Sequence, residues 1–218
     1  MLAKRIIGVV LTENGKVVRR VQQETKAIIG SPEVTIKYLS DWNCDELMFI
    51  NLDGEHKKTL DLLCQATAEC FIPLTFGGHI SSIQMAKDYI NNGADKVVLG
   101  RYAEKDLCDR IADVCGRQAV VISIDQNHYK RYKEVEGWCG ELLLHDIERD
   151  GIGQGLNLFK DIEISCPKIL MGGVGSYKHI VEGLKYADGV ACSNLLHFKE
   201  LSATFAKNEV KKAGLLIR

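Results

Sequence analysis

One carboxylate in the chain stands where a proton could be handled: Asp125, which closes the apolar run Val-Val-Ile-Ser-Ile-Asp. A carboxylate at the end of a buried strand faces the mouth of a sheet and can act as general acid or base. Small-residue turns offer a different chemistry. Gly77-Gly78 and Gly172-Gly173 each end a short apolar run, and Gly100-Arg101 and Cys192-Ser193 end the run that follows. Backbone amides free of side-chain bulk beside a helix N-terminus make anion sites. Their recurrence in two places predicts two phosphate seats, hence a ligand phosphorylated at both ends. A third set is charged: Arg5, Glu46, Lys96 and Glu141 each open an apolar run. Pointing inward, they would form a ring of cations and anions. Buried pairs rarely improve on apolar packing and cost roughly several kcal/mol in desolvation, so such a ring calls for a functional reason such as a gate. Asp53, Glu148 and Asp150 are further acids near the same end, as suited to solvated or capping roles as to catalysis.

The elements that must position these residues come as a duplication. Residues 72–101 read as a strand, a Gly-Gly turn, an amphipathic helix, a Gly-Ala-Asp turn and a second strand, and residues 166–194 repeat that order. Pro73 answers to Pro167, Gly77-Gly78 to Gly172-Gly173, and Ala94-Asp95 to Ala187-Asp188. Residues 46–53 share the spacing of 141–148, and 6–11 line up with 120–125. Two copies of a four-strand βα unit give eight strands, which predicts a single (β/α)8 TIM barrel of the α/β class built from two half-barrel repeats. The segment after the fifth strand is shortened, with only fifteen residues between Asp125 and Glu141. Residues 12–30 read as a long polar loop. Ser81-x-x-Gln84 reads as a capping box. Helical spacing sets Leu60, Leu63, Cys64 and Thr67 on one inward face, Leu107, Ile111 and Val114 on another, and Phe198, Leu201 and Phe205 on that of the last helix.

Composition narrows the classes. At 218 residues the chain fits one domain over 1–218, and a net charge of −1 gives no footprint for nucleic acid or an anionic membrane. No apolar run is long enough to span a bilayer and no signal pattern opens the chain, so a cytoplasmic location is expected. The eight cysteines form no C-x-x-C and are expected to be reduced core residues. No metal-ligand spacing occurs, and no cofactor is expected.

A resemblance covers nearly the whole chain. Its residues are MLAKRII at the start, DEL-x-F-I at 45–50, FIPLT-x-GG at 71–78, GADKV at 93–97, Ile124-Asp125, GE-x-LL at 140–144, RDG at 149–151 and GG-x-G at 172–175. With these the chain resembles the cyclase (HisF-type) subunit family of imidazole glycerol phosphate synthase, a glutamine amidotransferase. The resemblance implies a barrel that takes ammonia at its floor from a HisH-type glutaminase subunit and passes it through its core. At the other end the ammonia attacks a bis-phosphorylated aminoimidazole carboxamide ribonucleotide. It maps the family's gate onto Arg5, Glu46, Lys96 and Glu141, its interface aspartate onto Asp95, and one catalytic aspartate onto Asp125. The other catalytic position holds Leu11, which carries no proton. The second-half phosphate site maps onto Asp150, Gly151, Gly172, Gly173 and Ser193. The first-half site is altered: His79 follows Gly77-Gly78 where glycine is usual, and Gly100-Arg101 stand where Asn and Ser or Thr are usual. That asymmetry points to the divergent copies found in surface-polysaccharide pathways, which supply ammonia to a separate sugar amidotransferase and have reduced or lost cyclase activity. The alternatives are an authentic cyclase using Asp125 alone or a relocated acid such as Asp53, and a regulatory barrel that only binds a phosphorylated ligand.

Overall fold

Runs of Val, Ile and Leu with buried faces on both sides make strands that need cover inside and out, and a closed parallel barrel supplies both. The computed structural model describes residues 3–100 and 103–218. In chain order the elements are β1 (Arg5–Glu13), β2 (Lys16–Val21), β3 (Glu24–Gly30), α1 (Pro32–Asp41), β4 (Glu46–Asn51), α2 (His56–Ala68), β5 (Leu74–Gly77), α3 (Ile83–Asn91), β6 (Lys96–Leu99), α4 (Lys105–Cys115), β7 (Val120–Asp125), α5 (Tyr132–Val135), β8 (Glu141–His145), β9 (Lys168–Met171), α6 (Tyr177–Leu184), β10 (Gly189–Cys192), α7 (Asn194–His197) and α8 (Ser202–Lys212). Strands β1 and β4 to β10 are parallel neighbours, and β10 pairs with β1, so the eight close as the duplication requires. After β7 there is only a short 3-10 turn and the four-residue α5, and residues 146–167 between β8 and β9 carry no helix.

Strand parity divides the core in two. One cluster, with Phe49, Phe76 and Tyr89, lies between strands and helices, and Phe49 stacks on Phe76 with ring centroids 5.2 Å apart. The other fills the barrel itself, with Ile7, Val9, Leu11, Met48, Val98, Val121, Leu143, Ile169, Met171 and Ala191.

Several sequence expectations are corrected. Residues 12–30 are not a loop: β1 runs on to Glu13 and continues into the antiparallel hairpin β2–β3. Asn14-Gly15 makes the first turn, both residues at positive φ, as two-residue hairpin turns require. Ser82, not Ser81, caps α3, accepting from the Met85 amide at 3.2 Å. On α2 the buried residues are Thr59, Leu62, Leu63 and Ala66, with Cys64 exposed; on α4 they are Cys108 and Ile111, with Val114 exposed. Of the residues expected on the inward face of the last helix, Phe198 and Leu201 precede it, and these two and Phe205 are exposed. There a polar contact overrides apolar periodicity. Buried Lys207 reaches Asp45 at 2.7 Å, so Ala203, Ala206 and Val210 share its inward face and Phe205 turns out. All eight cysteines are unpaired thiols, four of them buried.

Phe76→Ala should therefore cost about 3–5 kcal/mol in urea unfolding. Phe205→Ser should change stability by less than about 0.5 kcal/mol, and a larger loss would contradict this register of α8.

Candidate active site and barrel floor

The inward residue at the start of each of four strands is charged, and the stagger of the parallel strands lets the four side chains meet. Ile7 lies opposite Glu46, Thr75 opposite Lys96, and Val121 opposite Glu141. Arg5 Nη1 donates to Glu46 Oε1 and Oε2 at 2.9 and 3.1 Å and to Glu141 Oε1 at 2.7 Å. Lys96 Nζ donates to Glu46 Oε2 at 3.1 Å and to Glu141 Oε1 at 2.9 Å. All four predicted floor residues are thus brought together in a closed ring. A fifth member was missed: Arg218 Nη1 donates to Glu46 Oε1 at 2.9 Å. Nothing in local spacing could reveal it, because it comes from the far end of the sequence. Burial disfavours the Glu46 carboxylate, but Arg5 and Lys96 outweigh that and hold its pKa below the ordinary value. Burial also works against the Arg5 guanidinium, and Glu141 and Glu46 together more than reverse it. Glu141 Oε2 is buried with no partner among the described residues. Asp95 is exposed at the same end, where its Oδ2 accepts from the Leu74 amide at 2.8 Å.

At the opposite end a cavity of about 310 Å³ opens above the apolar barrel interior. Leu11, Met48, Ile50 and Val98 form its floor, with Gly78, Gly100, Ser123, His145 and Asp150 around it. Asp125 is at the C-terminal end of β7 as expected, yet it does not line this cavity. Its Oδ1 accepts from the Asn127 amide at 2.9 Å, and its two oxygens lie 2.9 and 3.1 Å from His128 Nδ1. The carboxylate is engaged by its own turn. Asp53 is likewise committed, accepting from the Asn14 amide at 2.8 Å.

The glycine turns differ from the expected pairing by one residue. Ile50 pairs with Gly77 and His145 with Met171, so Gly77 is the counterpart of Met171, not of Gly172. Gly77 is the last residue of β5, and a Cβ there would lie 2.3 Å from Val98 Cγ1; it serves close packing rather than a turn. The true counterparts are Gly78 with Gly172, at φ 118° and 102°, and His79 with Gly173, at 56° and 95°. His79 thus holds a left-handed conformation that costs most L-residues about 1 kcal/mol or more, and its Nε2 lies 3.1 Å from the Leu52 carbonyl. Arg101 lies outside the described residues. Of the residues expected at the second-half site, Asp150, Gly151, Gly172, Gly173 and Ser193 line one niche beside the main cavity. Among the described residues, the amides of Gly173 and Ser193 donate to no acceptor, which leaves them available to an anion.

Two mouth residues escaped the sequence reading. Arg20, carried by the hairpin, lines both niche and cavity. The hairpin reaches across the mouth because the Gln22 amide donates to the Asp150 carbonyl at 3.0 Å and Gln22 Nε2 to the Glu148 carbonyl at 2.9 Å. Reading residues 12–30 as a loop concealed it. His145 is the other, at the end of β8.

Glu141→Ala would leave Arg5 and Lys96 short of a counter-charge and should cost about 3–5 kcal/mol. Half-exposed Arg218→Ala should cost less than about 1 kcal/mol. Because the Glu46 pKa is depressed on folding, its contribution is present above the ordinary value of 4.5 and lost as pH falls through the folded value. Denaturation midpoints followed from about pH 6 down to about pH 2 should show that loss setting in below the ordinary value, and Glu46→Gln should flatten it.

Comparison with known proteins agrees with this architecture. The family described as histidine biosynthesis protein matches residues 5–202. The imidazole glycerol phosphate synthase subunit HisF of Chloroherpeton thalassium is 34% identical, with all of both chains covered. Those of Chlorobium chlorochromatii and Clostridium botulinum are 33% and 31% identical, again over the full length of each. With a family match over most of its length and full-length relatives above 30% identity, the chain belongs to the histidine biosynthesis protein family, as a HisF-type barrel.

Proposed function

We propose that this barrel is the synthase subunit of a glutamine amidotransferase. Ammonia released by a HisH-type glutaminase on the floor passes the ion-pair ring and crosses the apolar core. It then forms a C–N bond on a phosphorylated or sugar-type acceptor served at the mouth. The observation that carries the reading is the closed ring of Arg5, Glu46, Lys96 and Glu141 directly below an apolar barrel interior. A charged floor stabilises a pure binding module poorly, since an apolar layer would do as well. A dry apolar core offers ammonium no counter-charge, so nitrogen crosses it as neutral ammonia. The same end also presents what a partner would bury: Phe71, ahead of β5, and Leu216, whose carbonyl meets the Lys4 amide, are exposed, as is Asp95.

The mouth supports weak or absent cyclase chemistry. Leu11 offers the cavity no proton, and the Asp125 carboxylate is held by His128 and Asn127 of its own turn. Transfer of ammonia to a separate sugar amidotransferase accords with that loss. The phosphate seat at Gly172, Gly173 and Ser193 suits a phosphorylated ligand, and His79 occupies the counterpart of Gly173 in the first half.

Ammonium-driven turnover of the bis-phosphorylated aminoimidazole carboxamide ribonucleotide, run beside an authentic cyclase, separates the readings. We expect it to be at least about 100-fold slower, roughly 2.7 kcal/mol of barrier; turnover within about tenfold of the control would restore the histidine-pathway cyclase. Asp95→Asn keeps an acceptor for the Leu74 amide but removes the charge. It should weaken glutaminase binding about fivefold or more, near 1 kcal/mol. Unchanged binding and unchanged glutaminase stimulation would remove the floor from the proposal. Lys96→Ala should alter ammonia transfer, which a barrel that only binds ligand would not show.

A further inference from the structure

Among the described residues, the titratable and charged side chains lining the mouth cavity are Arg20, His79, His145 and Asp150. Among these the His145–Asp150 pair is incomplete. His145 Nε2 is enclosed and has no hydrogen-bond partner among the described residues, while Asp150 Oδ2 lies 3.6 Å away, just beyond bonding distance. A buried ring nitrogen left so costs free energy, and an imidazolium beside the carboxylate would recover it. Asp150 also faces the glycine niche, where its charge opposes any anion seated on the Gly173 and Ser193 amides. Met171 joins the two regions, lining both and pairing with His145 across β8 and β9. One positive charge at His145 would therefore offset Asp150, satisfy the enclosed nitrogen and complement the anion.

We propose that His145 takes up a proton as a phosphate-type dianion enters the glycine niche, so that the mouth selects dianionic phosphate monoesters by binding them together with a proton. The proposal rests on the second-half phosphate seat proposed above and adds a ligand-recognition role for His145. The other groups around the imidazole are committed elsewhere. Asp125, its cross-strand neighbour on β7, is held by His128; Asp146, next in the chain, is engaged by the Arg149 amide at 3.0 Å; and His79, on the same cavity wall as Gly78, lies against the Leu52 carbonyl. Arg20 approaches from β2 with its Nε buried and unpartnered among the described residues, and gives the seat a fixed positive charge. The His145 imidazole has an enclosed, unpartnered nitrogen beside a carboxylate, among the described residues, and that geometry makes it the group that can couple binding to a proton.

Sulfate is the probe, because it stays a dianion throughout the neutral range and every proton counted belongs to the protein. Calorimetric titration of the full chain at pH 7.5, in two buffers of different ionisation enthalpy, reads the protons taken up per sulfate. The wild type should take up roughly one-half to one proton. The folded His145→Gln variant should take up close to none and bind sulfate at least about fivefold more weakly. Sulfate binding without proton uptake, or uptake that persists in His145→Gln, would overturn the inference while leaving the phosphate seat intact. No sulfate binding by the folded wild type at ~100 mM, far above the usual range for specific anion sites, would remove the seat and the inference with it.

Discussion

Four charged side chains can remain at the base of an apolar barrel only if they neutralise one another, and the rest of this molecule is arranged around that constraint. Arg5 and Lys96 each bridge Glu46 and Glu141, so four strands from both halves are tied together. A slip of one residue in any of them would turn its charge to the outer face, against the helices, and expose an unpaired partner inside. Arg218 adds a contact from the end of the sequence, and Lys207 with Asp45 applies the same logic beside the ring. In each case a polar contact decides which side of an element faces inward.

Above that floor the two half-barrels have diverged. The half formed by β9 and β10 keeps small residues at its turns and free amides at Gly173 and Ser193. The half formed by β5 and β6 sets an imidazole, His79, where its counterpart has glycine, and β1 offers Leu11 to the cavity. The hairpin β2–β3 then crosses from one half to the other and brings Arg20 to the retained niche. Among the described residues, Arg20, the amides of Gly173 and Ser193 and the His145–Asp150 pair gather on one side of the mouth.

The internal duplication made the eight strands legible, because Pro73 with Pro167 and Ala94-Asp95 with Ala187-Asp188 mark equivalent corners. Asp95 and Asp188 even perform the same task, accepting from the amides of Leu74 and Lys168. The floor ring was legible for a similar reason: four charges that each open an apolar run are costly unless they meet. Register was harder to read. Matching Gly77-Gly78 to Gly172-Gly173 by identity misplaced the turn by one residue, since Gly77 is a strand residue whose missing Cβ makes room for Val98. Amphipathic spacing likewise misjudged α8, because hydrophobicity alone cannot register the pull of Lys207 toward Asp45.

Strand number, barrel closure and the charged layer are written in the sequence by itself, because repetition and burial cost act along the chain and leave a pattern in it. The fifth ring member Arg218, the hairpin across the mouth and the approach of His145 to Asp150 were decided only by tertiary structure. Each depends on which side chain wins a hydrogen bond within an ångström or so. That competition is settled by the positions of neighbouring elements, and residue types and spacing along one strand do not encode it.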